Sequence, residues 1–372
     1  MEITGIKFMA PFLDGSGYAE ASRQYAVALH KMGIPLTLQT VSFEAARPNL
    51  GENGRILKSL MDKDIPYNIK IIQLTPEHYP LYREEGKFNI GYSFWETSKL
   101  CKEWIGYINE SIQMCFVACQ WNVDVYRDSG VTIPIRCILQ GIDPKEFENP
   151  SKLIIPGLEK DDYCFYSIFQ WTERKHPVAL IKAYWAAFQN NEKVALILKT
   201  YRNNFDEDQQ EVIRKTIASL KKLTPMNTYP KILLVLNMLS RKDMISLHNT
   251  CDCFALLQRG EGWGLPHFEA GALGNPVITT NYSSVLEFLT PENSYLANYT
   301  LTPVFGMPWC NWYKGDQMWA EPDLGHAIEL FRHVYHNREE AIMKGSLLRK
   351  NILDNFGWDK VSADMIKHIL EA

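Results

Sequence analysis

Two carboxylates eight positions apart, Glu261 and Glu269, bracket the run Gly260-Glu261-Gly262-Trp263-Gly264-Leu265-Pro266-His267-Phe268-Glu269. An ionised carboxylate only accepts hydrogen bonds, so such groups suit sugar or ribose hydroxyls and repel phosphate. The glycines between them let backbone N–H groups approach a ligand, and N–H groups at a helix start form a seat for phosphate. An anion seat beside hydroxyl acceptors points to a sugar nucleotide. The plainer alternative makes Glu261 a solvated loop residue and Glu269 a partner of the helix dipole. A second group, Arg174-Lys175 shortly before Pro177, puts two cations at a helix start, where they can hold an anion; a solvated charge pair is the alternative. A third, Gly15-Ser16-Gly17, allows close backbone approach to a ligand, or is a simple strand-to-helix turn. As a dinucleotide fingerprint it is incomplete, because Glu20 stands at the third glycine position. A nicotinamide oxidoreductase would need that glycine and an acidic residue near the second strand's end, where Glu44 is poorly placed.

Holding these groups in place requires strands that end just before them and helices that start just after. Residues 253–257 read as a buried strand, Pro266 suits a first helical turn, Gly274-Asn275-Pro276 stops that helix, and 277–280 is the next strand. The remainder alternates in the same way. Strands are predicted at 6–10, 36–41, 69–73, 88–93 and 113–119, with a helix over 18–31 ending near Gly33. After a break at Asn149, Pro150, Ser151, Pro156 and Gly157, strands resume at 163–169, 194–199 and 233–236. Helical patterns at 323–335 and 359–370 close the chain. Alternation of this kind indicates an α/β class with parallel sheets, divided into domains at 1–152 and 153–350 with a terminal helix in 351–372.

Composition narrows the function classes. With 372 residues, 46% hydrophobic and 22% charged, the chain is a well-packed globule larger than one ordinary core. The net charge of −4 carries no nucleic-acid footprint. No apolar stretch reaches the roughly 20 residues of a membrane span, and no signal-peptide pattern opens the chain. No strongly basic amphipathic helix marks surface attachment to a membrane. The eight cysteines lack zinc-type pairing, so a reduced, cytoplasmic protein is expected. Asp62-Lys63-Asp64 has the spelling of a metal-binding Asp-x-Asp, but no strand leads into it, and it reads as a surface turn.

The glutamate pair, with the cations before Pro177, resembles the signature of retaining glycosyltransferases of glycosyltransferase family 4, and the likeness runs from Gly15 to the region of Trp358. The resemblance implies the GT-B architecture: two Rossmann-like α/β/α domains with parallel sheets facing across an interdomain cleft, and a last helix packed back on the first domain. It implies no metal and no cofactor, with a nucleoside diphosphate sugar as co-substrate. By the same resemblance Lys175 neutralises the departing diphosphate. Many members carry Gly-Arg earlier in that loop, where this chain has Phe169-Gln170, so Arg174 supplies the second charge. Gly17 would line the donor diphosphate, Glu261 the donor sugar and Glu269 the ribose. Gly262, Trp263, Gly264 and Leu265 would present N–H groups to sugar and phosphate, and the turn containing Leu239 would border the base through its main chain.

On the acceptor side the likeness is thinner. Trp95 and Glu96 stand where many relatives have a histidine, and Glu96 is the candidate for a hydroxyl; capping by Thr97 and core packing by Trp95 are the alternatives. Gln140-Gly141-Ile142-Asp143 resembles the turn closing the first domain, and 318–323 reads as structural. The implied reaction is retaining, metal-independent transfer from a UDP- or GDP-sugar to a glycan, lipid-linked or other hydroxyl acceptor. A hydrolase, phosphorylase or epimerase of the same fold, or a non-catalytic nucleotide-sugar-binding protein, is the alternative.

Overall fold

In the computed structural model, which describes residues 1–43, 48, 50–189, 192–224 and 226–372, two all-parallel six-stranded sheets carry the chain. Glu44 lies outside the described residues. The first sheet has the order β2-β1-β3-β4-β5-β6, built from β1 (Ile6–Ala10), β2 (Leu36–Thr40), β3 (Ile69–Ile72), β4 (Phe88–Ser93), β5 (Met114–Val117) and β6 (Ile135–Cys137). Helices α1 (Gly17–Lys31), α2 (Gly51–Leu60), α3 (Tyr79–Tyr82), α4 (Lys102–Ser111) and α5 (Gln120–Ser129) lie between them. Strands covered on both faces need apolar side chains at every position, which is why β5 is the unbroken run Met-Cys-Phe-Val.

Strand order reverses at β1, and the loop after that strand is held by a buried arginine. Ser16 caps α1 by accepting from the Ala19 N–H at 3.2 Å. Arg23 donates to the carbonyls of Phe12 (3.0 Å) and Asp14 (2.8 Å) and pairs with Glu20 at 2.6 Å. Glu20, in the third-glycine position, is thus the counter-ion of the residue that shapes this loop.

The second sheet has the order β12-β11-β10-β7-β8-β9. Along the chain it runs β7 (Tyr163–Gln170), α6 (Pro177–Ala187), β8 (Val194–Tyr201), α7 (Glu207–Leu223), β9 (Lys231–Val235), α8 (Arg241–Thr250), β10 (Cys253–Leu256), α9 (Leu265–Leu273), β11 (Val277–Thr280) and β12 (Tyr295–Ala297). An antiparallel pair, β13 (Tyr299–Pro303) and β14 (Met318–Pro322), follows, then α10 (Leu324–His336), α11 (Arg338–Asn355) and α12 (Trp358–Leu370). The chain divides into one unit of Met1–Asp143, Trp312–Gln317 and Asp354–Ala372, and another of Pro144–Asn311 and Met318–Leu353. Within the first unit α12 lies on α1, with the Trp358 ring edge-on to Tyr25 at 4.9 Å.

All eight cysteines are free. Asp62, Lys63 and Asp64 are exposed, with Asp62 in the left-handed region at φ 48°. Among the described residues no cluster of three or more His, Cys, Asp and Glu could hold a metal ion, and no helix is long and apolar enough to cross a membrane.

Candidate active site

In the second sheet the chain order reverses between β7 and β10, which are paired neighbours. Loops leaving the carboxyl ends of two strands that flank such a reversal diverge, and the crevice between them is where α/β sheets bind ligands. The loop after β7 carries Arg174 and Lys175, and the loop after β10 carries Glu261. The fold therefore brings together residues 86 positions apart: Lys175 Nζ donates to Glu261 Oε1, and Arg174 Nη1 donates to the Gly260 carbonyl at 2.8 Å and lies 3.5 Å from Glu261 Oε2. Gln170 takes no part, since it ends β7 and donates to the Arg202 carbonyl at 2.9 Å.

Glu261 is 4% exposed. Burial opposes its charge, yet Lys175 and Arg174 hold its carboxyl below the usual carboxylate range. Its backbone is clamped as well: its N–H donates to Ser283 Oγ (2.9 Å) and its carbonyl accepts from Ser284 Oγ (2.7 Å). Gly264 then takes φ 89° and caps α9, and a Cβ there would stand 2.6 Å from Val285 Cγ1. Trp263 turns inward between Phe268 and Phe288, with ring centroids at 5.2 and 5.3 Å, and residues 260–264 are all buried. Leu265, half-buried, opens the helix.

Glu269 lies one helical span further along α9, 7% exposed. Burial again opposes ionisation, and Arg241 and His248 override it, bringing its carboxyl down to about 2. Arg241 Nη1 donates to Glu269 Oε1, and the same guanidinium reaches Glu146 at 2.8 Å. The turn with Leu239 precedes Ser240, which caps α8 and so fixes where Arg241 starts.

Residues 154–298 match the family model described as Glycosyl transferases group 1. The matched segment covers less than half of the chain. It holds Arg174, Lys175, Glu261 and Glu269 together with the whole second sheet. No curated protein matches the sequence. By structure the chain is similar to HepE of Anabaena in complex with UDP and glucose, at 13% identity and a TM-score of 0.66 with all of both chains covered. It is similar to sucrose-phosphate synthase of Thermosynechococcus elongatus at 13% identity and a TM-score of 0.72, covering 99% of this chain and 98% of that one. A glycosyltransferase of Rickettsia africae shares 12% identity at a TM-score of 0.68, covering 100% of this chain and 99% of that one. At these identities the likeness shows the fold: a two-domain α/β architecture with parallel sheets, shared with GT-B glycosyltransferases. The family match and that fold together support transfer from a nucleotide sugar.

Several partners of these loops carry no mark in the sequence. Arg259, 6% exposed, pairs with Glu321 of β14 at 2.7 Å, stacks over Trp319 at 5.0 Å and donates its backbone N–H to the Arg174 carbonyl at 2.8 Å. His176, in the left-handed region at φ 50°, reaches the same glutamate at 3.0 Å. Nothing local in the sequence marks these partners, because Glu321 lies 62 residues beyond Arg259. Arg241 left one signal: a cation in the first turn of α8, where the helix dipole disfavours it unless an acid is near.

In the first unit, Gly17 opens α1 behind the Ser16 cap. Trp95 is a core residue, edge-on to Trp104 at 4.5 Å and stacked on Tyr313 at 5.0 Å. Thr97 caps no helix, since α4 starts at Lys102 after Cys101, and its hydroxyl donates to the Lys99 carbonyl at 3.1 Å. Glu96 accepts from the Tyr313 hydroxyl at 3.0 Å.

Proposed function

We propose that this protein is a retaining, metal-independent glycosyltransferase of family 4 type, acting in the cytoplasm on a UDP- or GDP-sugar and a hydroxyl acceptor. The observation that carries this reading is the meeting of Lys175, Arg174 and Glu261 at the reversal point of the second sheet. Departure of the nucleoside diphosphate is the hard part of glycosyl transfer, and fixed positive charge beside the leaving oxygen lowers that barrier most. In the structure both cations face one carboxylate. A diphosphate brings more negative charge and competes for them, and Glu261, released, accepts from the donor sugar's hydroxyls. Main-chain groups of Gly262, Trp263, Gly264 and Leu265 complete the sugar and phosphate contacts. Glu269 takes the ribose hydroxyls, and the turn at Leu239 borders the base.

In the first unit the reading assigns Gly17 to the donor diphosphate and Glu96, backed by Trp95, to an acceptor hydroxyl. Transfer with retention follows an oxocarbenium-like path. The bond from the anomeric carbon to the diphosphate oxygen breaks, the acceptor oxygen bonds on the same face, and its proton passes to the departing phosphate. Partners are then the nucleotide-sugar donor and a glycan, lipid-linked or other hydroxyl acceptor, and no cofactor is required.

Incubating the purified protein with a panel of UDP-, GDP- and ADP-sugars, and measuring nucleoside diphosphate release beside a Glu269→Ala control, tests this. Release from one donor, lost in the control, is the expected result. If no donor is turned over with any acceptor supplied and none raises the melting temperature, the reading fails.

A further inference from the structure

Behind Glu269 runs a buried polar chain that no step of the transfer itself uses. Asn275 Nδ2 donates to the Tyr166 hydroxyl at 2.9 Å and to the His248 carbonyl at 2.6 Å. Because Tyr166 accepts from Asn275, its own proton is directed at His248 Nδ1, 2.7 Å away. An imidazole that accepts at Nδ1 carries its proton on Nε2 when neutral. That nitrogen lies 3.3 Å from Glu269 Oε2, while Arg241 holds the other oxygen. Tyr166 and His248 are fully buried, and Asn275 is half-buried. Three elements, β7, α8 and the α9–β11 turn, meet at these atoms.

From this geometry we infer that His248, with its tautomer set by Tyr166 and Asn275, is a positioning residue that fixes the rotamer of Glu269 for a vicinal pair of hydroxyls. The inference rests on the nucleotide-sugar reading and assigns ribose recognition to a three-residue relay. A carboxylate has about four lone-pair sites. Arg241 occupies one site on Oε1 and the His248 ring stands 3.3 Å from Oε2, which leaves a site on each oxygen for two adjacent hydroxyls. A freely rotating Glu269 would meet only one of them at a time.

Isothermal titration with UDP, GDP and ADP, and with the 2′-deoxy and 3′-deoxy forms of whichever binds, reads this directly. Wild type should lose roughly 10–100-fold in affinity when one hydroxyl is removed, the worth of a hydrogen bond to a charged group. His248→Phe keeps the ring volume and removes the donor, so its ribo-to-deoxy ratio should fall to near one while affinity for the deoxy form stays unchanged. Tyr166→Phe, a milder change that leaves the fold intact, should lower the ratio partway, and His248→Gln, which retains an N–H donor, should restore much of it. A wild-type ratio in both His248→Phe and Tyr166→Phe, or equal loss for ribo and deoxy ligands, overturns the inference while the donor reading stands. Failure of wild type to bind any nucleoside diphosphate overturns both.

Discussion

Lys175 pairs with Glu261 and, in the proposed reaction, turns to the diphosphate. Lys175→Ala should therefore lower turnover by about a hundredfold or more, the scale of losing a preorganised charge at a developing anion, with little change in acceptor KM; unchanged turnover would refute its role. The same change leaves Glu261 buried with Arg174 alone, so the melting temperature should fall as well. In the proposed mechanism lysine and arginine do the work of a divalent ion, so turnover should persist in EDTA and gain nothing from manganese. Loss in EDTA restored by manganese would sink the metal-free mechanism. Two neighbouring groups contribute to acid stability. Burial pushes the His267 imidazole down to about 4 from 6.5, so between those values the unfolded chain binds a proton that the native state refuses. Stability is full above about 6.5 and falls toward pH 4, by about 3 kcal/mol in all. Denaturant titrations across that range should show the loss in wild type and its absence in His267→Gln. Glu269 extends the decline, from its ordinary 4.5 down to about 2.

At the scale of elements, α9 is short because Pro266 opens it and Gly274, at φ 87°, closes it, and both marks were legible in the sequence. What covers it was not. Helix α11 buries Ala341, Gly345, Leu348 and Ile352. The spacing is helical, but two of the four are small, so the apolar stripe is faint to a pattern search. Those small residues exist for contact. A Cβ on Gly345 would stand 2.1 Å from the Gly274 carbonyl oxygen, and one on Gly271 would meet Ile352 Cδ1 at 2.6 Å. Backbone cannot yield as a side chain can, so Gly345→Ala should cost about 3 kcal/mol or more and Gly271→Ala less. Thermal melts rank the two, and equal melting temperatures would contradict the contact. The donor relay depends on the same helix, since Glu269 and the Asn275 turn ride on α9.

Across the whole molecule, neither unit is a single stretch of chain. The first unit takes its last helix from residues 354–372, and Val361, Met365 and Ile369 of α12 are buried. At roughly 1.5–3 kcal/mol for each such side chain, removing them costs an amount comparable with the entire stability of a domain. A chain ending at 353 should thus lose the folded first unit. Limited proteolysis would show the region 1–143 degraded while residues 154–298 survive, and equal resistance would refute this. The sequence by itself determined the α/β class and the positions of strands β1, β4 and β11, and it singled out Glu261, Glu269, Arg174 and Lys175 as candidates for the site. Period, glycine and proline placement, and charge are local, and each is readable within a few residues. Only the tertiary structure decided which cation meets which carboxylate, that Arg241 and His248 share Glu269, that Trp95 is packing and that Glu321 braces Arg259. The ion pairs among them join residues from 21 to 87 positions apart through strand order and helix contact. A single chain of letters contains the partners, but the sheet's reversal point is what brings them within reach.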